Sequence, residues 1–160
     1  MLWAVVAASV LVLDQATKLW AERALDDQAT RDVIGDWLQL RLVYNPGAAF
    51  SLGTGYTVLL TLIAIGVVVV VVRMARNLGS RGWAWALGLL LGGALGNVTD
   101  RIFRDPAPFR GHVVDFIELP NWPVFNVADS AICVAATFFV VLSCLGVHLD
   151  GRRSAEIDAT

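Results

Sequence analysis

Apolar and polar positions along this chain follow two different patterns. Four long runs are apolar almost throughout, at residues 2–22, 56–72, 83–100 and 126–148. Each falls within the about 17–25 residues that an α-helix needs to cross a bilayer. Between the first two runs the pattern changes to period two. In WLQLRLVY, Leu38, Leu40, Leu42 and Tyr44 fall on one face and Gln39 and Arg41 on the other, which predicts a strand. A second alternating stretch, HVVDFIEL, surrounds Asp115. Residues 23–36 are polar and acidic and predict a loop or short surface segment. The predicted fold class is an all-α membrane protein, one integral domain over 1–160 with four transmembrane helices. Strand-like segments lie in the links 23–55 and 101–125.

Composition supports the membrane reading. The 160 residues are 57% hydrophobic and 16% charged, with a mean hydropathy of +0.66. Soluble domains run at about 45–50% apolar and about 25% charged. A net charge of −2, with scattered basic residues, gives no nucleic-acid footprint. A cleaved signal peptide at 2–22 is the alternative for the first run, but the basic n-region and small-x-small cleavage site are missing. The short link after the second run carries Arg73, Arg76 and Arg81 without an acid, and the tail adds Arg152 and Arg153. The longer links hold Asp26, Asp27, Asp32, Asp36, Asp105, Asp115 and Glu118. By the positive-inside rule, both termini and the short link are expected in the cytoplasm and the long links outside.

Within the apolar runs, three features ask for a reason. Asp14 and Lys18 stand at i, i+4, on one helix face and able to pair, with Asp14 roughly 9 Å deeper than the aromatic anchor Trp20. An ionisable group at such depth is a functional-site candidate, whereas Lys18 alone is explained by snorkelling to the interface. Gly88, Gly92 and Gly96 repeat every fourth residue, a face that lets another helix approach closely. Cys133 and Cys144 lie roughly 16 Å apart along one helix, too far for a disulfide, and read as small core residues. Two histidines, His112 and His148, with no HExxH or CxxC, leave no basis for a metal site.

The stretch from Asn97 to Asp129 concentrates the charge. Asp115 stands in the alternating HVVDFIEL and Asp129 opens the last apolar run in FNVADSA, with Pro120 and Pro123 between them. The two acids therefore belong to different elements that meet at one interface. Two carboxylates brought together there do not both ionise easily, which yields an acid and a base able to activate water against an amide carbonyl. The residues alone leave the alternatives open. Asp129 follows Asn126 by three positions, as an N3 acid behind an N-cap does, and Asp115 fits an ordinary loop acid. Upstream, NPGAAFS (45–51) predicts a turn in which Gly47, Ala48 and Ala49 leave room for another backbone. A four-span transporter using Asp14, Lys18 and Asp100 as intramembrane charges, or a structural adaptor, is the rival class. The gathering of charge at one interface favours a hydrolytic site.

DQATK (14–18), NPGAAF (45–50), GGALGNVTDR (92–101), VVDFI (113–117) and FNVADS (125–130), in this order around four spans, resemble the lipoprotein signal peptidases (signal peptidase II) over nearly the whole chain. The resemblance implies an aspartic endopeptidase of the bacterial inner membrane. Such an enzyme cuts diacylglyceryl-modified prolipoproteins just before the lipid-bearing cysteine. It implies Asp115 and Asp129 as the catalytic pair. Asp14, Lys18, Asn45, Gly47, Asn97, Arg101 and Asn126 follow as supporting or substrate-binding positions. It further implies a small extracytoplasmic strand cradle, an active site on the outer face, membrane lipid as a partner, no cofactor, and inhibition by globomycin-like cyclic peptides. The proline-bearing RDPAPFRG before His112 departs from the family pattern.

Overall fold

In the computed structural model of the chain, residues 1–25, 29–47, 56–76 and 78–152 are described. Asp26 and Asp27 of the first link, Ala48 and Ala49 of the small-residue turn, and Arg153 of the tail lie outside the described residues. Among the described residues, four helices, α1 (Leu2–Ala24), α2 (Thr57–Ala75), α3 (Arg81–Phe103) and α4 (Val127–Cys144), accompany three strands, β1 (Arg31–Ile34), β2 (Leu38–Asn45) and β3 (Val113–Glu118). Helices α1, α2 and α4 are long and apolar enough to cross a membrane. The described residues are thus mostly helical, with three candidate spans and a small antiparallel sheet.

Helix α3 matches α1 in length but is the most buried of the four, and the other three pack on it. Its glycines explain how. A Cβ at Gly88 would sit 2.7 Å from the Trp3 carbonyl oxygen, and one at Gly92 2.6 Å from Val10 Cβ, both on α1. A Cβ at Gly96 would run into the Asp14 carboxylate, while one at Gly93 would lie 2.5 Å from the Ala128 carbonyl oxygen of α4. The stripe at 88, 92 and 96 therefore seats α1, and Gly93 seats α4. Close backbone approach of this kind supplies the dispersion that lipid-immersed helices need, because lipid gives apolar side chains no reason to turn inward. Val12, Leu13, Leu59, Leu62, Ile63, Val69, Val70, Val140 and Val141 accordingly point outward.

The sheet has the order β1–β2–β3, antiparallel throughout. It rests on α1 through Ala21, Leu25 and Phe116, joined by Leu40, Leu42 and Ile117. Four sequence expectations change here. Residues 31–34, expected as part of a loop, form a strand, exposed at every position because it has sheet partners on one side only. Strict alternation in β2 fails: Leu40 pairs with Ile117 but Val43 with Asp115, so one extra residue bulges opposite Phe116 and the face switches. Helix α4 ends at Cys144, short of the expected 148, and residues 145–152 turn back to the start of α3. There Gly79 and Ser80 donate their N–H groups to the Leu149 carbonyl. Finally, Cys133 and Cys144 are exposed on α4 rather than core residues; on a lipid-facing helix a thiol is as acceptable outside as in.

The glycine seating leads to a direct test. Gly92→Val is expected to lower the thermal unfolding midpoint in detergent, since overpacking costs about 1–3 kcal/mol. Gly66→Val, at a position with nothing within 4 Å, is expected to leave it near the wild-type value. Equal midpoints for the two variants would show that α1 and α3 do not rely on this contact.

Candidate active site

Asp115 comes from the middle of β3 and is 2% exposed. Asp129 comes from the first turn of α4. The bulge in β2 and the turn after it bring Asn45 beside Asp115, and the end of α3 brings Asn97 beside Asp129. A cavity of about 390 Å³ is bounded by both acids, Asn45, Asn97 and Arg101, and by Leu60 and Ala64 of α2 facing Ile132 of α4. Its polar end thus lies among the strands and helix termini, and its apolar end between two lipid-facing helices.

Each of the four carboxylate oxygens accepts an amide N–H. Asp115 Oδ2 accepts from Asn45 Nδ2 at 3.0 Å and Oδ1 from Asn126 Nδ2 at 2.7 Å. Asp129 Oδ1 accepts from Asn97 Nδ2 at 2.8 Å and Oδ2 from the Asn126 backbone N–H at 3.2 Å. The Asp115 carboxyl is pushed up to about 7, first by burial and then by the charge of Asp129, against the hydrogen bonds from Asn45 and Asn126 and the charge of Lys18. It therefore exchanges a proton near neutrality.

The asparagines face this way because their carbonyl ends are occupied. Asn45 Oδ1 accepts from Gly47 N–H at 2.9 Å, and Asn126 Oδ1 from Asp129 N–H at 2.9 Å. Asn97 Oδ1 accepts from Lys18 Nζ at 3.1 Å and from Asn126 Nδ2 at 3.3 Å. With each oxygen engaged, only the NH₂ end of each side chain can meet a carboxylate.

Behind this layer stand Asp14, Lys18 and Asp100, all with no exposed surface. Lys18 Nζ lies 2.8 Å from Asp14 Oδ2 and 2.6 Å from Asp100 Oδ2. Asp14 Oδ1 accepts the Ala128 N–H at 2.9 Å, so α1 supplies a cap to the start of α4. Asp100 also takes the Arg104 Nε–H at 2.7 Å and the Val114 N–H at 3.3 Å. Arg101 donates to the carbonyls of Pro46 and Gly47 and so holds the turn that carries Asn45. Among the described residues no group of three or more His, Cys, Asp or Glu side chains is arranged to hold a metal ion.

Every residue that the family resemblance implied for the site lies in one of these two layers: Asn45, Gly47, Asn97, Arg101, Asp115, Asn126 and Asp129 in the first, Asp14 and Lys18 in the second. Lys18 does not snorkel, because Asp14 and Asp100 hold its ammonium inside. Asp129 does close a capping box with Asn126, yet its Oδ1 faces Asn97, so the cap and the cavity share one side chain. Sequence reasoning left out Asp100 as a partner of Lys18, and Gln15, whose Nε2 donates to Asp14, Asp100 and the Gly96 carbonyl. The signal for Asp100 was present, since it stands at i, i+4 to Arg104 on a helix end.

Comparisons with known proteins agree in direction. The family described as Signal peptidase (SPase) II matches residues 6–145. A lipoprotein signal peptidase of Mycobacterium leprae (strain Br4923) is 54% identical over 155 residues, 96% of this chain and 77% of that protein. One from Streptomyces griseus subsp. griseus is 54% identical over 146 residues, 91% of this chain and 74% of that protein. A solved bacterial membrane enzyme, determined by the in meso method at 2.3 Å resolution, superposes with a TM-score of 0.80 at 26% identity, over 89% of this chain and 87% of that one.

The electrostatic coupling between the two acids can be measured. Asp129→Asn removes one of the two causes that raise Asp115, so Asp115 is expected to titrate below about 7 while staying above an ordinary carboxyl, because burial remains. Infrared titration of the protonated carboxyl band in the variant reads this directly. An unchanged midpoint would mean that the two acids do not sense each other. The same shift has a stability sign. The folded state keeps a proton that the unfolded chain releases, so stability contributed at low pH is lost as pH rises to about 7, and Asp115→Asn is expected to flatten that slope.

Proposed function

This chain belongs to the signal peptidase II family, as an aspartic protease that removes signal peptides from lipoprotein precursors, and we propose that Asp115 and Asp129 are its catalytic pair. The observation that carries the assignment is the cavity that both carboxyls border, with every carboxyl oxygen amide-bonded and one acid titrating near neutrality. On this reading Asp115 starts protonated and Asp129 ionised. Asp129 takes a proton from water as the water oxygen attacks the scissile carbonyl carbon, and Asp115 passes its proton to the carbonyl oxygen. The tetrahedral gem-diol then collapses: Asp115 takes back a proton from one of its hydroxyls, the proton held by Asp129 moves to the amide nitrogen, and the carbon–nitrogen bond breaks, leaving the pair as it began. Asn45, Asn97 and Asn126 hold the two acids in place without adding charge, and pre-set geometry of this kind spares reorganisation during the reaction.

The substrate's chemistry fits the cavity's two ends. The apolar end, between Leu60, Ala64 and Ile132, suits a hydrophobic signal peptide and the acyl chains on the cysteine. The polar end suits the bond to be cut, immediately before that cysteine. We further take α3 as a fourth span, which with the arginine distribution gives cytoplasmic termini and an extracytoplasmic site in the bacterial inner membrane. Globomycin-like cyclic peptides are expected to inhibit by occupying the cavity. The rival transporter reading wants charges strung through the membrane depth; here Asp14, Lys18 and Asp100 are bonded to one another and to the residues around the two acids.

Two measurements test this. Asp115→Asn and Asp129→Asn are each expected to give inserted, thermally near-native protein that no longer cleaves a diacylglyceryl-modified precursor, and the double variant should be hardly worse than either. Loss of general acid–base catalysis alone is worth about 10²–10⁴-fold, whereas loss of a dipole-favoured charge at the start of α4 costs only about 0.3–1 kcal/mol. Substantial activity in either single variant would return that residue to a purely structural role. Separately, an unlipidated precursor is expected to be cut poorly whatever its peptide sequence. Efficient cleavage without the diacylglyceryl group would contradict the lipid-facing reading of the cavity.

A further inference from the structure

Asp115 borders a second cavity, of about 440 Å³, which shares Asn45, Asp115 and residues 122–124 with the first. No residue of the four helices lines it. It is built from β2, the turn at Pro46, Asp115 itself and the loop from Asn121 to Val124. The walls it does not share are Arg41, Val43 and Tyr44 of β2, with Pro46 and Asn121. An amide placed at the carboxyl pair therefore has one flank toward the lipid-facing helices and the other toward the sheet.

Among the described residues, Arg41 is the one cation that lines this sheet-side cavity. It sits at the bulge of β2, the kind of irregularity that re-aims a side chain. Glu118 does not line the cavity but grips Arg41 from β3, accepting Nε–H at 2.7 Å and one Nη2–H at 2.8 Å. That fork leaves three of the five guanidinium N–H groups for another acceptor. The Arg41 side chain keeps 43% of its surface exposed, against 24% for Glu118. The acid thus fixes the guanidinium in orientation while the guanidinium meets whatever enters.

Resting on the protease reading above, we propose that the sheet-side cavity receives the peptide that follows the lipidated cysteine, and that Arg41 is a specificity-determining residue favouring an acidic over a basic side chain at the first position after it. The signal peptide and the acyl chains are apolar and belong with the membrane-side cavity. The remaining chain is polar, leads away from the bilayer, and has only the sheet side left to it. Glu118 acts as a positioning residue for Arg41.

The test uses the full-length protein in detergent with three lipidated precursors, identical except for Asp, Asn or Lys after the lipidated cysteine. Wild-type kcat/KM is expected to favour Asp over Lys by about twofold to fivefold, the range of a partly exposed ion pair. The ratio is expected to shrink as salt rises, which reads the charge without any mutation. In Arg41→Gln the ratio should approach one. Equal kcat/KM for the Asp and Lys precursors in the wild-type enzyme, or an undiminished ratio in Arg41→Gln or at high salt, overturns the proposal while leaving the protease assignment standing. Failure to cleave any of the three precursors overturns both.

Discussion

The structure depends on one buried ammonium. Lys18 Nζ has three N–H groups, and Asp14, Asp100 and Asn97 take all of them, with no exposed surface on the lysine or either aspartate. Burying such ions costs several kcal/mol each unless the geometry is complete. Here completeness comes from every side. Arg104 balances Asp100, and the Ala128 N–H at the positive end of α4 balances Asp14. Removing one partner from a buried pair typically costs about 3–5 kcal/mol, because the other is left uncompensated. The cluster therefore joins α1, α3 and α4 through polar contacts, where lipid offers no hydrophobic drive to do so.

That cluster reaches the carboxyl pair through a neutral side chain. Lys18 holds the carbonyl end of Asn97, which turns its NH₂ toward Asp129. An amide between the ammonium and Asp129 transmits orientation without direct contact, while the charge of Lys18 still favours the ionised form of Asp115. The same logic repeats at Asn45, locked by the Gly47 N–H, and at Asn126, locked by the Asp129 N–H. Asparagine suits this role because its two ends are opposite in hydrogen-bond sense, so fixing one end decides the other. Asp115 can then remain buried with a raised proton affinity and still have both oxygens held.

Much of this was legible in the sequence, and the physics explains which parts. Helices α1, α2 and α4 announce themselves by apolar length, and the stripe at Gly88, Gly92 and Gly96 by its spacing. The Asp14–Lys18 pair follows from helical geometry alone. The third partner, Asp100, lies 82 positions from Lys18 and no local pattern links them. The bulge at Arg41 was hidden for a related reason: strand alternation reads one strand at a time, whereas a bulge exists only between two. β1 was missed because a short exposed strand carries no apolar alternation. The cysteines were misread because exposure to lipid, unlike exposure to water, does not select against a small apolar side chain.

Asp129 shows why the modest reading and the chemical one were hard to separate from residues alone. An acid at the third position of a helix is a common cap, and Asp129 is that cap: its Oδ2 accepts the Asn126 N–H while Asn126 Oδ1 accepts the N–H of Asp129. The cap holds one oxygen and leaves the other, bonded by Asn97, at the cavity. Because the capping box needs this backbone geometry, the start of α4 cannot fray without moving the carboxylate. Because Asp14 binds the Ala128 N–H, one residue before Asp129, the helix start cannot shift without disturbing the lysine cluster. Helix start, buried charge and cavity-facing oxygen are thus a single constraint. A site at the end of a span gains its rigidity from interactions the fold needs in any case, and that rigidity extends to the edge of the apolar cavity.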